Sequence, residues 1–135
     1  MIHKLPNKRK AVVEDKKIRD YLLCLEHPVG GGKAIFFISH GFNRNYPGQF
    51  RSVLLEHART NPVIKVETTE YVTKYIIEGP VRFTKEKVLL VSYTEGPNPR
   101  KMQEVGFEVA EISIVTVWGI EPNTKIPKLV TAYPM

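Results

Sequence analysis

Apolar residues recur at helical spacing through the first half of the chain and alternate through much of the second. Ile18, Tyr21, Leu22 and Leu25 follow the i, i+3, i+4, i+7 stripe of a helix that Asp15 can cap. Pro28 and the glycines behind it end that helix. Ala34, Phe37 and Ile38, with Ile35 on a flank, define a second helix from about Gly32 to His40, which Gly41 stops. Turn residues from Asn43 to Gly48 lead into a third helix. Pro47 suits its first turn, Phe50, Val53, Leu54 and His57 form its stripe, and it ends near Asn61-Pro62.

Beyond Pro62 the period changes. VIKVETT (63–69) and YVTKYIIEG (71–79) are β-branched and aromatic and read as a hairpin; VLLVSY (88–93) is a third strand. EISIVTVWGIE (111–121) is the longest strand and PKLVTAYP (127–134) the last, with a loop at 95–99. Helices first and strands afterwards predict an α+β domain, with two or three N-terminal helices packed on a four- to five-stranded, mainly antiparallel sheet. Residues 1–14 read as an irregular basic arm and 15–135 as a single domain.

Composition narrows this picture only in places. A chain of 135 residues with 42% hydrophobic content builds one core, not two. No apolar run approaches the roughly 20 residues of a membrane span, and MIHKLPNKRK lacks the apolar region of a secretory signal. The cytoplasm is therefore the expected compartment, without membrane contact. A single cysteine, Cys24, rules out an internal disulfide. The net charge of +6 points to acidic partners, nucleic acid or protein.

The candidate chemistry begins at LEHPVGGGKAIFF (25–37). The phosphate-loop pattern fails there, because His27 stands where its first glycine belongs and Ala34 where its hydroxyl belongs. A more general feature survives. Gly31 and Gly32 enter a helix N-terminus, where unpaired N–H groups and the dipole favour an anion, and Lys33 adds a full charge. A cation at that end of a helix is mildly costly unless something anionic is bound. Of the histidines, His57 continues an apolar stripe and reads as a packed core residue, and His40 suits a helix C-terminus. His27 lies off any stripe, between a helix end and a glycine turn, and is the candidate for acid–base work. No histidine, cysteine or carboxylate cluster has ligand spacing, so neither a metal nor another cofactor is expected.

The late strands supply the other polar groups. In EISIVTVWGIE, Thr116 and Trp118 point the same way; in the last strand Leu129, Thr131 and Tyr133 share a face. If the two strands pair, the expectation is a hydroxyl cluster beside an aromatic platform.

These residues carry a resemblance. LPNKRKAVVEDKKIRDYLLCLEHPVGGGKAIFF, then Gly41-Phe42, TVW and PKLVTAYP, resembles a family of uncharacterised domains with an HPxGxxKA core, found alone and at the C-termini of bacterial contact-dependent-inhibition and polymorphic toxins. The resemblance implies the layout of small toxin ribonucleases of the barnase, EndoU, colicin and RelE-like group, which cut RNA without a metal. Its helical-turn motif matches His27 and Lys33, and its strand motifs match Thr116, Trp118, Thr131 and Tyr133. The expected catalytic residues are His27, Lys33, Thr116, Thr131 and Tyr133, and the expected substrate contacts Gly31, Gly32, Trp118 and Lys128. Val115 and Lys128 stand where that pattern has arginines. The chain is also longer than the pattern between Gly79 and Glu111, which implies an inserted hairpin or loop at 84–110.

The expected reaction is attack of a 2′-hydroxyl on its own phosphate, in tRNA or another RNA, with His27 moving a proton and Lys33 stabilising charge. Trp118 or Tyr133 would stack a base. An acidic immunity or antitoxin protein is the expected protein partner. The rival reading is a non-catalytic RNA- or protein-binding module of a toxin–antitoxin-like pair.

Overall fold

The computed structural model describes residues 4–29, 31–95 and 98–135, without the side chains of 87–104. His3, Gly30 and the expected turn residues Gly96 and Pro97 lie outside the described residues. Three helical segments precede a four-stranded antiparallel meander in the order β1-β2-β3-β4, which is an α+β fold. A short 3₁₀ turn at Lys8–Lys10 comes first. Helix α1 (Asp15–Lys17) runs on as a π turn (Ile18–Leu22), followed by α2 (Gly31–Ser39) and α3 (Pro47–Thr60). The strands are β1 (Val63–Thr68), β2 (Thr73–Glu95), β3 (Asn98–Ile120) and β4 (Lys128–Pro134).

The expected stripe of α3 is the buried one: Phe50, Val53, Leu54 and His57 all face the sheet. Helix α2 buries Ala34 and Phe37 but leaves Ile35 and Ile38 in solvent. Gly41, at φ 95°, ends it in a paired-bond cap: its N–H reaches Ile38 O at 2.9 Å while Phe42 N–H reaches Phe37 O at 3.3 Å. The cap swings Phe42 inward, against Phe50 at 4.6 Å and Phe83 at 4.8 Å between ring centroids.

The first helix is shorter than its stripe suggests. Leu23 N–H bonds Ile18 O at 2.8 Å, an i→i+5 contact, and the helix stops at Leu22. Leu25 is consequently outside it and 57% exposed. The basic N-terminal segment is fastened down rather than standing off in water. Leu5 and Val13 enter the core, and Val12 pairs with the start of β4 through Pro127 O and Leu129 N–H.

Strands read separately at 71–79 and 88–93 are one strand, β2, which pairs with β3 continuously from Thr73↔Ile120 to Glu95↔Asn98. Residues 84–95 and 98–110 are the distal part of that hairpin.

Between β3 and β4 the register shifts by one residue. Val117 faces Thr131, whereas the adjacent Trp118 faces Leu129, so Val130 is an extra residue in β4. A one-residue slip sends every later side chain to the other face. Leu129 and Ala132 therefore share the core face with Trp118 and Thr116, while Thr131 and Tyr133 lie on the opposite face beside Val117 and Val115.

Candidate functional site

That bulge divides the sequence-derived residues into two groups. Thr116 and Trp118, both 0% exposed, belong to the core and cannot touch a substrate. The expectation that they join Thr131 and Tyr133 on one face fails because Val130 reverses the facing of the final strand.

The buried group is a closed polar chain. Trp118 Nε1–H donates to Thr116 Oγ1 at 2.8 Å, and Thr116 donates in turn to His57 Nδ1 at 2.8 Å. His57 Nε2–H lies 3.1 Å from Gly79 O and 3.0 Å from Ile114 O. Each donor thus has its acceptor with His57 neutral, and among the described residues no buried side-chain polar atom is left unpaired. Burial, as the dominant cause, holds the His57 pKa below the ordinary histidine value, against the two carbonyl bonds that raise it. Asn61 completes the network, donating to Pro80 O at 2.9 Å and His57 O at 3.1 Å. Its side chain occupies the space that a Cβ on Gly79 would need.

The second group forms a polar cluster at the β4 edge. Lys33, in the first turn of α2, donates from Nζ to Tyr21 Oη at 3.1 Å and to Thr131 Oγ1 at 3.3 Å. Tyr21 Oη and Thr131 Oγ1 are themselves 3.4 Å apart. The same ammonium sits 5.5 Å from the ring centroids of both Tyr21 and Tyr133. His27 packs edgewise on Tyr21, with centroids 4.7 Å apart. His27 Nδ1 accepts the Val29 N–H at 3.1 Å, so the neutral ring carries its proton on Nε2. Four of the expected residues, His27, Lys33, Thr131 and Tyr133, are therefore brought together.

Tyr21 was hidden from sequence reasoning. Its spacing places it in the apolar stripe, yet its hydroxyl is the hub of the cluster. A tyrosine on a helix face that meets a lysine from the next helix was the available signal. Its pKa lies below the ordinary tyrosine value, first through the Thr131 hydrogen bond, then through the hydrogen bond and charge of Lys33 and the charge of Lys17, with burial opposing them.

The glycines divide too. A Cβ on Gly31 would come within 2.5 Å of Leu25 O, and the Gly31 N–H is taken by His27 O at 2.9 Å. Gly31 thus serves the packing of the turn rather than the approach of a ligand. Gly32 is exposed, with open space where its Cβ would be. Lys128, at the start of β4, pairs with Glu14 at 3.8 Å and lines a separate cavity of ≈ 350 Å³ that also includes Val12 and Lys17. Among the described residues, no group of three or more His, Cys, Asp or Glu is placed to hold a metal ion. Nor is any helix among them long and apolar enough to cross a membrane.

The fold and the cluster define a small α+β domain with a cationic, hydroxyl-lined corner at the sheet edge. The family described as Domain of unknown function (DUF6883) matches residues 4–95, more than half of the chain, and the protein belongs to that family. No curated protein and no solved structure matches it.

Proposed function

We propose that the protein is a toxin-like, metal-independent endoribonuclease and that the Lys33 cluster is its active site. The observation that carries this reading is the environment of Lys33. Lys33 is half-buried, its ammonium has two hydroxyls and two ring faces as partners, and none of the ion pairs among the described residues involves it. Taking a cation partly out of water without a counter-charge is costly, and a phosphate oxygen would supply that charge. Tyr133 offers a ring beside it, and Thr131 a hydroxyl to orient the phosphate. His27 stands at the same corner as a proton-carrying ring. The sequence resemblance to toxin ribonucleases agrees with this placement and adds an acidic immunity protein as the expected partner.

In this reaction the 2′-oxygen attacks phosphorus, the bond to the 5′-oxygen breaks, and a 2′,3′-cyclic phosphate remains. The experiment is direct: purified protein and its Lys33→Met variant are incubated with total RNA in EDTA, and the new ends are characterised. Fragments ending in cyclic phosphate, lost in Lys33→Met, support the reading. Intact RNA that is nonetheless bound in a salt-sensitive manner favours the non-catalytic module instead.

A further inference from the structure

RNA cleavage of this kind needs a group to take the proton from the attacking hydroxyl. Histidine is the usual candidate, and two of the described histidines, the buried His57 and the His27 of the cluster, are the ones to compare with Tyr21. His57 is sealed in the core, with both ring nitrogens engaged by Thr116, Gly79 and Ile114. His27 commits Nδ1, the acceptor nitrogen of its neutral form, to the Val29 N–H. Tyr21 has a different arrangement. Its oxygen is a hydrogen-bond acceptor for an ammonium at 3.1 Å, the pattern that favours a phenolate. The ring also borders a surface cavity of ≈ 310 Å³ that it shares with His27, Lys16 and Lys17, which opens a path to solvent.

We infer that Tyr21 is the general base of the cluster, the group that accepts the 2′-hydroxyl proton; the inference rests on the ribonuclease reading above. As the 2′-oxygen bonds to phosphorus its proton passes to the Tyr21 phenolate, and the Lys33 ammonium stabilises first the phenolate and then the phosphorane. The bond from phosphorus to the 5′-oxygen breaks, and that oxygen takes a proton from water. Tyr21 returns its proton to solvent through the cavity.

The charges facing Tyr21 are compatible with this role. Lys33 from α2, Lys17 from α1 and the His27 ring lie against it, Thr131 from β4 bonds its hydroxyl, Tyr133 shares its Lys33 contact, and Lys16 lines the same cavity. Glu14 and Asp20 also line the cavity, but each faces a cation, Lys128 at 3.8 Å and Arg44 at 4.0 Å. The lowered Tyr21 pKa agrees with the geometry.

The test is the pH–rate profile of wild type and Tyr21→Phe on an RNA oligonucleotide in EDTA, with folding checked by circular dichroism. The wild-type kcat should rise with pH to a plateau set by the phenol. Tyr21→Phe should bind RNA with unchanged affinity and lose about 10²–10⁴-fold in kcat, with the rise abolished. If Tyr21→Phe does not fold, the wild-type rise, shifted to higher pH in the Thr131→Val variant, carries the same test. A variant that cleaves like wild type, or one slowed equally at every pH, overturns the assignment and leaves the ribonuclease reading standing. A wild-type protein that binds RNA and never cuts it overturns both.

Discussion

Lys33 Nζ and Tyr21 Oη meet at 3.1 Å across 12 positions of sequence, joining the first turn of α2 to the π turn that ends the first helix. The sequence features on either side look unrelated: a lysine behind three glycines, and a tyrosine in an apolar stripe. The segment between them turns through bonds from His27 N–H to Cys24 O at 3.3 Å and from Gly31 N–H to His27 O at 2.9 Å.

The Tyr21 phenol should report on both of its hydrogen-bond partners. In Thr131→Val the Tyr21 phenol loses the hydrogen bond that contributes most to lowering its pKa, and in Lys33→Met it loses a hydrogen bond and a charge. Both variants should therefore move Tyr21 up toward the ordinary tyrosine value, as followed by the ring-carbon NMR signal of labelled tyrosine. A Tyr21 that titrates identically in all three proteins would show that the contact does not persist in solution.

The core network should make stability acid-sensitive. His57 is buried neutral with a lowered pKa, so below the unfolded-state value of about 6.5 the unfolded chain binds a proton that the folded chain refuses. Stability is thus fully present above that value and falls as pH drops toward the depressed folded-state value, by up to about 1.4 kcal/mol per pH unit. Urea unfolding at pH 8 and pH 5 measures it, and His57→Gln should remove this part of the pH dependence. Thr116→Val leaves both the Trp118 N–H and His57 Nδ1 unpaired, for an expected loss of about 2–5 kcal/mol.

Three glycine substitutions separate structural from ligand roles. Gly79→Ala sets a Cβ against Asn61 at a φ of 152° that side chains rarely adopt, and should destabilise by about 1–3 kcal/mol or more. Gly31→Ala collides with Leu25 O and should also lower the melting temperature. Gly32→Ala meets nothing and should leave stability in place, while a methyl there obstructs close approach of an RNA phosphate and weakens binding. Thermal unfolding paired with RNA titration distinguishes the three.

Much of the fold was legible because it rests on periodicity. The α3 stripe, the Gly41 stop and the shared facing of Thr116 and Trp118 all follow from side-chain spacing. What spacing could not reveal was the relation between elements. Val130 is as good a strand residue as its neighbours, so nothing local marks the bulge that separates Thr131 and Tyr133 from Thr116 and Trp118. The π turn is equally silent, since Ile18, Tyr21 and Leu22 satisfy an ordinary helical stripe. His27 and Lys33 stood out because both break the apolar pattern. Tyr21 did not, because a tyrosine ring fits a core stripe and only its hydroxyl tells otherwise.

The most direct measurement of the proposed chemistry uses a DNA oligonucleotide carrying one ribonucleotide, incubated with the protein in EDTA. Attack by a 2′-hydroxyl on its own phosphate permits one product: a break immediately 3′ of the ribonucleotide, with a 2′,3′-cyclic phosphate on one fragment and a 5′-hydroxyl on the other. That is the expected result, with cleavage lost in Lys33→Met. An oligonucleotide that stays intact while total RNA is also left uncut, or cleavage of an all-deoxy control, would contradict it.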